Sequence, residues 1–208
     1  MAERLRMSVA TRLSRYLQVA RRATKNGAES ISSYEIAAYT GVNATQVRRD
    51  LSSFGRFGKR GSGYETDLLC ERLRAILGAD ESKSVVIVGA GRVGEALLSS
   101  QLSDTQGLEV VGIFDIDASK IGKRIGSLSV SPLGDLKQQV KRHSASGGVI
   151  AVPAQDAQGV ADELVEAGVR VLFNYSEALL DVPSDVSVRT LNPGAELLSM
   201  LSQRARSN

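Results

Sequence analysis

The stretch that most restricts the fold is SVVIVGAGRVGEALLSS, residues 84–100. An apolar run leads directly into Gly89, Gly91 and Gly94, which are spaced as GxGxxG, and a helix-forming segment follows. In a strand–loop–helix unit the first glycine permits the tight turn, the second lets a phosphate approach the backbone, and the third lets the helix pack on the strand. The motif therefore predicts a dinucleotide site at the N-terminus of a helix.

Short runs rich in β-branched residues recur along the C-terminal part, at residues 84–88, 108–115, 148–153 and 169–175. Helix-forming stretches separate these runs, an alternation that is typical of right-handed βαβ crossovers and a parallel sheet. Because the runs are continuously apolar, both faces of the sheet are expected to be covered. The sequence thus predicts an α/β domain with a Rossmann-type, doubly wound parallel sheet.

A carboxylate completes the dinucleotide signature. Asp115 ends the second run roughly 20 residues beyond Gly94, the spacing at which an acidic side chain accepts a hydrogen bond from a ribose 2′-hydroxyl. The same carboxylate would repel a 2′-phosphate, so NADH and NAD⁺ are favoured over their phosphorylated counterparts. Lys120, Lys123 and Arg124 lie nearby in the sequence and weaken that preference.

Candidates for catalysis are few. The single histidine, His143, lies in the polar stretch KRHSASGG and is predicted to be solvated. Asn174 and Tyr175 end the run at 169–175, where ligands bind in open α/β sheets, so both are predicted to contact a nicotinamide. Binding without turnover is the favoured interpretation. Two alternatives stay open: a small NAD-dependent oxidoreductase with a basic N-terminal extension, and a site for coenzyme A.

The charge of the chain is divided unevenly. Residues 1–77 contain 14 Lys and Arg against 7 Asp and Glu, a net charge of +7, whereas the remainder, with 12 against 16, carries −4. This asymmetry indicates two modules, of which the basic one faces a polyanion. The single cysteine, Cys70, is typical of a reducing compartment, and no apolar run approaches the roughly 18 residues of a membrane span. The cytoplasm is therefore the expected location, with no membrane contact.

Residues 31–54 have the pattern of two short helices joined by a glycine turn. Ser32 and Glu35 have the spacing of a capping box, and Gly41 ends the first helix. The apolar side of that helix is predicted to consist of Ile36, Ala37 and Tyr39.

The second helix is predicted to open at Asn43, with Gln46 completing a second capping box. Its apolar face consists of Val47, Leu51 and Phe54. Arg48 and Arg49 lie on the remaining faces, as do Thr45 and Gln46. This arrangement is a helix-turn-helix whose second helix enters the major groove of DNA.

The glycine-rich segment GRFGKRGSGY, residues 55–64, predicts a wing. Phe57 and Tyr64 are expected to pack its base, and Lys59 and Arg60 are placed at its tip, where they follow phosphates or enter a narrow minor groove. The boundary of the winged-helix unit is expected near residues 78–82.

The order of these motifs, TQVRRDLSSFGRFGKRGSGY, VGAGRVG, FDID, VIAVPA and NY, resembles the Rex family of redox-sensing transcriptional repressors over nearly the whole chain. The resemblance implies a homodimer that binds an inverted-repeat operator in double-stranded DNA and is released when NADH binds. It also implies that the C-terminal helix is swapped between subunits. The expected domains are residues 1–79 for DNA, 80–193 for NAD(H) and 194–208 for dimerisation.

The resemblance also assigns residues to each site. Expected DNA contacts are Thr45, Gln46, Arg48, Arg49, Lys59 and Arg60. Expected cofactor contacts are Gly89, Ala90, Gly91, Arg92, Val93, Gly94, Asp115, Val152, Pro153, Asn174 and Tyr175. Family members often have an arginine near Gln18, an acid near Asn192 and an aromatic residue where this chain has Ser99 and Ser100. These departures affect the residues that link ligand binding to domain rotation.

Overall fold

A computed structural model describes residues 7–55, 57, 63–101 and 107–205. The chain divides into two compact units, residues 1–81 and 82–208. The observed division lies two residues beyond the expected end of the DNA-binding domain at residue 79.

The described residues of the N-terminal unit form four helices and a small two-stranded sheet. In chain order these are α1 (Met7–Lys25), β1 (Ser30–Ile31), α2 (Ser33–Thr40), α3 (Ala44–Ser52), β2 (Tyr64–Glu65) and α4 (Thr66–Leu77). Strand β1 pairs antiparallel with β2, Ile31 opposite Tyr64. The fully buried core of the unit includes Leu13, Tyr16, Ala20, Ile36, Val47, Leu51, Leu69 and Leu73. The wing tip with Lys59 and Arg60 lies outside the described residues.

Local chemistry explains most of the helix-turn-helix. The Ser32 side chain accepts the N–H of Glu35, and the Glu35 carboxylate accepts the N–H of Ser32, so the first capping box is confirmed. Gly41 caps α2 in the left-handed conformation, at φ +67°. Tyr39 was wrongly assigned to the apolar side: it is 63% exposed, and the Arg22 guanidinium lies 5.2 Å from the centre of its ring.

The C-terminal unit alternates strands and helices. Its first half contains β3 (Lys83–Val88), α5 (Arg92–Ala96), a π-helical turn (Leu97–Gln101), β4 (Leu108–Asp115), β5 (Arg124–Ile125), β6 (Leu128–Pro132) and a 3₁₀ turn (Leu133–Asp135). Its second half contains α6 (Leu136–His143), β7 (Gly147–Ile150), α7 (Ala154–Glu166), β8 (Val171–Asn174), β9 (Ser187–Thr190) and α8 (Pro193–Ala205).

These strands form one sheet in the order β5-β6-β4-β3-β7-β8-β9. All neighbours pair in parallel except β5 and β6. The chain winds outward from β3 in one direction through β4 and β6, then in the other through β7 and β8, which confirms the doubly wound, Rossmann-type prediction. The point where the direction reverses, between β3 and β7, is where such sheets bind ligands.

The central strand is buried on both faces, as its continuous apolar sequence predicts. Val86 and Val88 pack in one core cluster with Phe114 and Leu164, whereas Ile87 packs in another with Ile113 on the opposite face. Strands β6 and β9 were not predicted, because their sequences, LSVSP and SVRT, are short and alternate apolar with polar residues.

The last helix, α8, has an apolar stripe that the chain leaves exposed. Leu197, Leu198, Met200 and Leu201 are all largely accessible. The Asn192 side-chain oxygen accepts the Ala195 N–H at 3.0 Å and so caps this helix. The swap of α8 between subunits stays a prediction. Among the described helices, none is both long and apolar enough to cross a membrane.

Candidate functional site

The glycine loop joins β3 to α5 as the motif predicts. Gly89 has φ +106°, and a Cβ there would clash with the carbonyl group of Ala151. Gly94 is buried, and a Cβ there would clash with the carbonyl oxygen of Gly89. A Cβ on Gly91 would meet no atom within 4 Å, so the space above the middle of the loop is open. Such a cradle fits a pyrophosphate group.

Arg92 and Val93 form the first turn of α5, and both are exposed. The first N–H groups of a helix have no intrahelical partner and carry the positive end of its dipole. Ala90 is buried beside them. The six predicted loop residues are therefore brought together at the carboxyl end of the central strand.

Asp115 ends β4 and is 7% exposed. One carboxylate oxygen accepts the Ala90 N–H at 2.8 Å and the Lys120 ammonium at 2.9 Å, and the other accepts the Asp117 N–H at 2.9 Å. Burial raises the pKa of Asp115, but these hydrogen bonds outweigh burial and hold the pKa below its ordinary value. The carboxylate therefore anchors the glycine loop, a role that the sequence did not reveal. A carboxylate has roughly four positions that can accept a hydrogen bond, and about one of them remains for a ribose hydroxyl.

The basic residues near Asp115 are engaged with the protein. Lys120 pairs with Asp115, and the Lys123 ammonium lies 2.7 Å from a carboxylate oxygen of Glu95. The Arg124 Nε donates to the carbonyl of Gly126 at 3.4 Å. Since both lysines are neutralised by carboxylates, they add little attraction for a 2′-phosphate.

Two further predicted contacts follow β7. A Val152 methyl carbon lies 3.0 Å from the point that a Cβ on Gly89 would occupy, so Val152 lies against the glycine loop. Pro153 is exposed and precedes the first turn of α7. Both residues therefore lie at the carboxyl edge of the sheet, beside the switch point.

Asn174 and Tyr175 follow at the end of β8 but differ in availability. Asn174 is 0% exposed; its amide nitrogen donates to Ala178 and Thr190, and its oxygen accepts twice from Ser176. All four hydrogen-bonding positions of its side chain are thus used within the protein, and its contact with a nicotinamide stays a prediction. Tyr175 is half-buried, with its ring edge-on to that of Phe173 at 5.3 Å, and burial raises the pKa of its hydroxyl.

In the N-terminal unit, α3 begins as predicted, but its cap differs. The Asn43 side chain accepts the Thr45 N–H at 2.7 Å, so Asn43 is the N-cap. The predicted second bond of the capping box, from the Asn43 N–H to the Gln46 side-chain oxygen, is wrong: the Gln46 amide nitrogen instead donates to Asp50 at 2.7 Å. The reason is that Asp50, an ionised acceptor one helical turn further along α3, holds the Gln46 amide by its nitrogen and directs the side chain away from the Asn43 N–H.

The two arginines of α3 are presented differently. The Arg48 guanidinium donates to the hydroxyls of Ser33 (2.9 Å) and Thr45 (3.1 Å) and lies 5.6 Å from the centre of the Tyr34 ring. Arg49 is exposed, like Arg48 and Thr45. The described DNA-contact candidates therefore occupy one helix, with Arg48 held against α2.

Sequence reasoning missed the residue at the centre of this unit, Asp50. It is 6% exposed, and it accepts two hydrogen bonds from Arg12 (2.6 and 2.8 Å), one from Tyr16 (2.9 Å) and the one from Gln46. A detectable signal existed: Asp50 lies next to Leu51 on the buried side of α3, where an acid requires a partner.

Known proteins match both units. The family model "CoA binding domain" matches residues 80–178, and the model "Putative DNA-binding protein N-terminus" matches residues 6–52. Proteins named redox-sensing transcriptional repressor Rex match nearly the whole chain. That of Rubrobacter xylanophilus is 40% identical over 95% of this chain and 91% of its own length, and that of Desulforamulus reducens is 42% identical over 90% and 89%.

Solved structures agree with the sequence matches. A crystal structure of RSP in complex with β-NAD⁺ and operator DNA superimposes with a TM-score of 0.85 and 32% identity, over 99% of this chain and 94% of that one. RSP in complex with β-NADH gives a TM-score of 0.84 and 30% identity, over 99% and 96%. RSP is described as a Rex-family repressor.

Proposed function

The chain belongs to the Rex family of redox-sensing transcriptional repressors, and on that premise we propose that it is a DNA-binding repressor controlled by NAD(H). The observation that carries the proposal is the presence, in one chain, of a helix-turn-helix with exposed arginines and a glycine loop shaped for a pyrophosphate. Family membership supports regulation rather than the alternative of a small NAD-dependent oxidoreductase. RSP, at 32% identity, binds β-NAD⁺ together with operator DNA, which supports both partners.

The C-terminal unit supplies the binding chemistry. Backbone N–H groups at the start of α5 would hold the pyrophosphate, and the remaining acceptor position of Asp115 would receive a ribose hydroxyl. Val152, Pro153 and Tyr175 would line the nicotinamide end. The bound cofactor is either NADH or NAD⁺, and the protein responds to which of the two is bound. No residue of the chain is required to transfer hydride.

The N-terminal unit supplies the DNA contacts. Thr45, Gln46, Arg48 and Arg49 would meet the major groove, and Lys59 and Arg60 the adjacent backbone or minor groove. In this proposal residues 1–79 bind DNA, residues 80–193 hold the cofactor and residues 194–208 contact a second subunit in the cytoplasm. The exposed apolar stripe of α8 supports that last assignment.

Control by the cofactor then requires a dimer. Two recognition helices read an inverted repeat only if their spacing matches about one helical turn of DNA, roughly 34–36 Å. A cofactor that prefers one arrangement of the dimer shifts the population by its differential affinity, with a coupling of about 1–3 kcal/mol. We propose that NADH favours the arrangement that releases the operator.

A mobility-shift titration with a candidate palindromic operator tests this directly. Operator affinity is expected to fall on addition of NADH and to be retained with NAD⁺. If operator affinity is the same with NADH, with NAD⁺ and without cofactor, the protein binds DNA but does not sense the cofactor. Gly91→Ala protein is the matched control, since its loop should remain folded but exclude the pyrophosphate, and its DNA binding should not respond to NADH.

Coenzyme A is a second candidate ligand, because the model that matches residues 80–178 is described as a CoA binding domain. Thermal-shift measurements with NADH, NADPH and coenzyme A separate the possibilities. NADH is expected to raise the melting temperature most, and the carboxylate of Asp115 should disfavour NADPH. A larger rise in melting temperature with coenzyme A would mean that coenzyme A, and not NAD(H), is the ligand of the glycine-loop site.

A further inference from the structure

The side-chain amide of Gln46 is held in one orientation. Its nitrogen Nε2 donates to Asp50 Oδ1 at 2.7 Å, one helical turn further along α3. An ionised carboxylate has no hydrogen to donate, so only the nitrogen of an amide, and not its oxygen, forms a favourable contact with it. The chemistry of Asp50 therefore decides which end of the Gln46 amide faces inward.

Asp50 is well suited to keep that orientation. The Arg12 guanidinium donates a hydrogen bond to each carboxylate oxygen of Asp50, at 2.6 and 2.8 Å. The buried Tyr16 hydroxyl donates to the same carboxylate at 2.9 Å. Burial raises the pKa of Asp50, but hydrogen bonds from Arg12, Gln46 and Tyr16 outweigh burial and lower the pKa below its ordinary value. The carboxylate is thus charged and fixed on three sides by α1 and α3.

The oxygen of the Gln46 amide is left available. No residue in the part of the chain that the structure describes donates to Oε1 of Gln46, and the side chain is only half-buried. Gln46 is the third residue of α3, Ala44–Ser52, and the first turns of a recognition helix are those that contact base edges. A hydrogen-bond acceptor is therefore presented at the end of the helix that leads into the groove.

We infer that Gln46 reads the exocyclic amino group of a base in the major groove, and that Asp50 is the positioning residue that turns the Gln46 oxygen outward. This inference rests on the proposed function, in which α3 enters the DNA. In the major groove only adenine N6 and cytosine N4 present an amino group, whereas guanine O6 and thymine O4 are acceptors and would repel an acceptor. Each base pair presents one such amino group, on one of its two strands, so the contact specifies which strand carries the adenine or cytosine at one base pair of each half-site.

The first test selects preferred duplexes from a randomised DNA library with the full-length protein, without added cofactor. Gln46→Met, similar in length but unable to hydrogen-bond, is compared with the unchanged protein. Ser52→Ala is the control, because among the described residues the Ser52 hydroxyl donates only to the Arg49 carbonyl on the same helix. The unchanged protein and Ser52→Ala are expected to select one base pair in one orientation, with its adenine or cytosine on the contacted strand, at a position of each half-site. Gln46→Met is expected to lose that preference alone.

The second test removes the amino group itself from the selected duplex. Purine replaces adenine, or pyrimidin-2-one replaces cytosine, at the identified position, so the two possible bases are examined separately. Loss of the amino group is expected to weaken binding of the unchanged protein about tenfold, the usual cost of one lost base contact. Binding of Gln46→Met should not change, because that variant has no acceptor to lose.

Asp50→Asn tests the positioning role. An asparagine amide has both a donor and an acceptor, so it can hold Gln46 either way round, and discrimination between amino- and carbonyl-presenting bases should fall. The salt dependence of binding should stay the same, because phosphate contacts set that slope. If circular dichroism shows that Asp50→Asn is unfolded, the Gln46→Met and base-analogue measurements decide alone.

Two results would overturn the inference while leaving DNA binding intact. One is a base preference that survives Gln46→Met at every position. The other is unchanged binding when the amino group is removed from the base at the position that Gln46→Met no longer selects, which would mean that the Gln46 oxygen does not receive that group. If the unchanged protein enriches no duplex at all, both the inference and the proposed function fail.

Discussion

Each unit of this protein is organised around one buried carboxylate, and the two are held in different ways. Asp50, on α3, accepts four hydrogen bonds, all from side chains: those of Arg12, Tyr16 and Gln46. Asp115, at the end of β4, accepts two from backbone N–H groups and one from Lys120. Their exposures, 6% and 7%, are nearly equal. The difference therefore lies in the donors and not in burial.

The difference shows how each unit depends on its sequence. The donors to Asp50 from α1 are 34 and 38 residues away, so specific side chains on a separate helix anchor α3. The backbone donors to Asp115 are available whichever residues occupy positions 90 and 117, proline excepted. The recognition helix is consequently sensitive to single substitutions in α1. The glycine loop is sensitive mainly to substitutions that its backbone conformation does not allow.

The largest effect is expected for Asp50→Ala. Removing this carboxylate leaves the Arg12 guanidinium and the buried Tyr16 hydroxyl without their acceptor, and breaking such a pair costs about 3–5 kcal/mol. Hydrogen exchange of α1 and α3, together with urea unfolding, measures the loss. The control is Asp67→Ala: the Asp67 carboxylate is exposed, and in the part of the chain that the structure describes it accepts only a long hydrogen bond from Thr24, at 3.2 Å. A loss below about 1 kcal/mol, the usual value of a surface pair, would contradict the anchoring role.

The next effect concerns the loop that Asp115 holds. Gly94→Ala would force a methyl group against the Gly89 carbonyl oxygen, and overpacking of this kind costs about 1–3 kcal/mol. Gly91→Ala meets no protein atom, so it should remain as stable as the unchanged protein but bind NADH poorly. Melting temperatures with and without NADH separate the two outcomes. Equal destabilisation by both substitutions would show that the loop differs from the one described.

A contrast of similar size is expected between the two cations. Arg12→Met removes two of the four bonds to Asp50, and a net loss of about 1.5–3 kcal/mol is expected, as for hydrogen bonds to charged groups. Lys120→Met leaves Asp115 with both backbone donors, and a partly exposed pair contributes about 0–1 kcal/mol. Urea unfolding of the two variants measures the contrast. Equal losses would mean that backbone donors do not substitute for a cation.

The smallest effect is expected on acidification. Both carboxylates have a folded-state pKa below the ordinary value of about 4, so their contribution is complete above that pH and is lost only as the pH falls through the lowered values. Stability should change little between pH 7 and pH 5 because of these groups, and should fall below about pH 4. Asp50→Asn and Asp115→Asn should flatten that decline in thermal melts. A loss centred above pH 5 would indicate other groups.

Much of this molecule was predictable because its signals are local. The GxGxxG spacing placed the strand, loop and helix, and Ser32, Glu35 and Gly41 delimited α2. Interactions at longer range were not predictable. Tyr39 appeared apolar but lies under Arg22, and Gln46 appeared to complete a cap but faces Asp50. Asn174 lies where ligands bind, yet its side-chain amide is fully hydrogen-bonded to residues that follow β8 in the chain.

The amino-acid sequence by itself determined the two-unit organisation, the order of the elements, the glycine loop and the family, because these depend on periodicity, caps and backbone freedom within short segments. Only the tertiary structure decided which polar groups remain available to a ligand. Hydrogen-bond partners such as Arg12 for Asp50, or Ala90 for Asp115, are distant in the chain and meet only after the core has packed. A polar group can bind a ligand only if its hydrogen-bonding capacity is not already used by such partners within the protein.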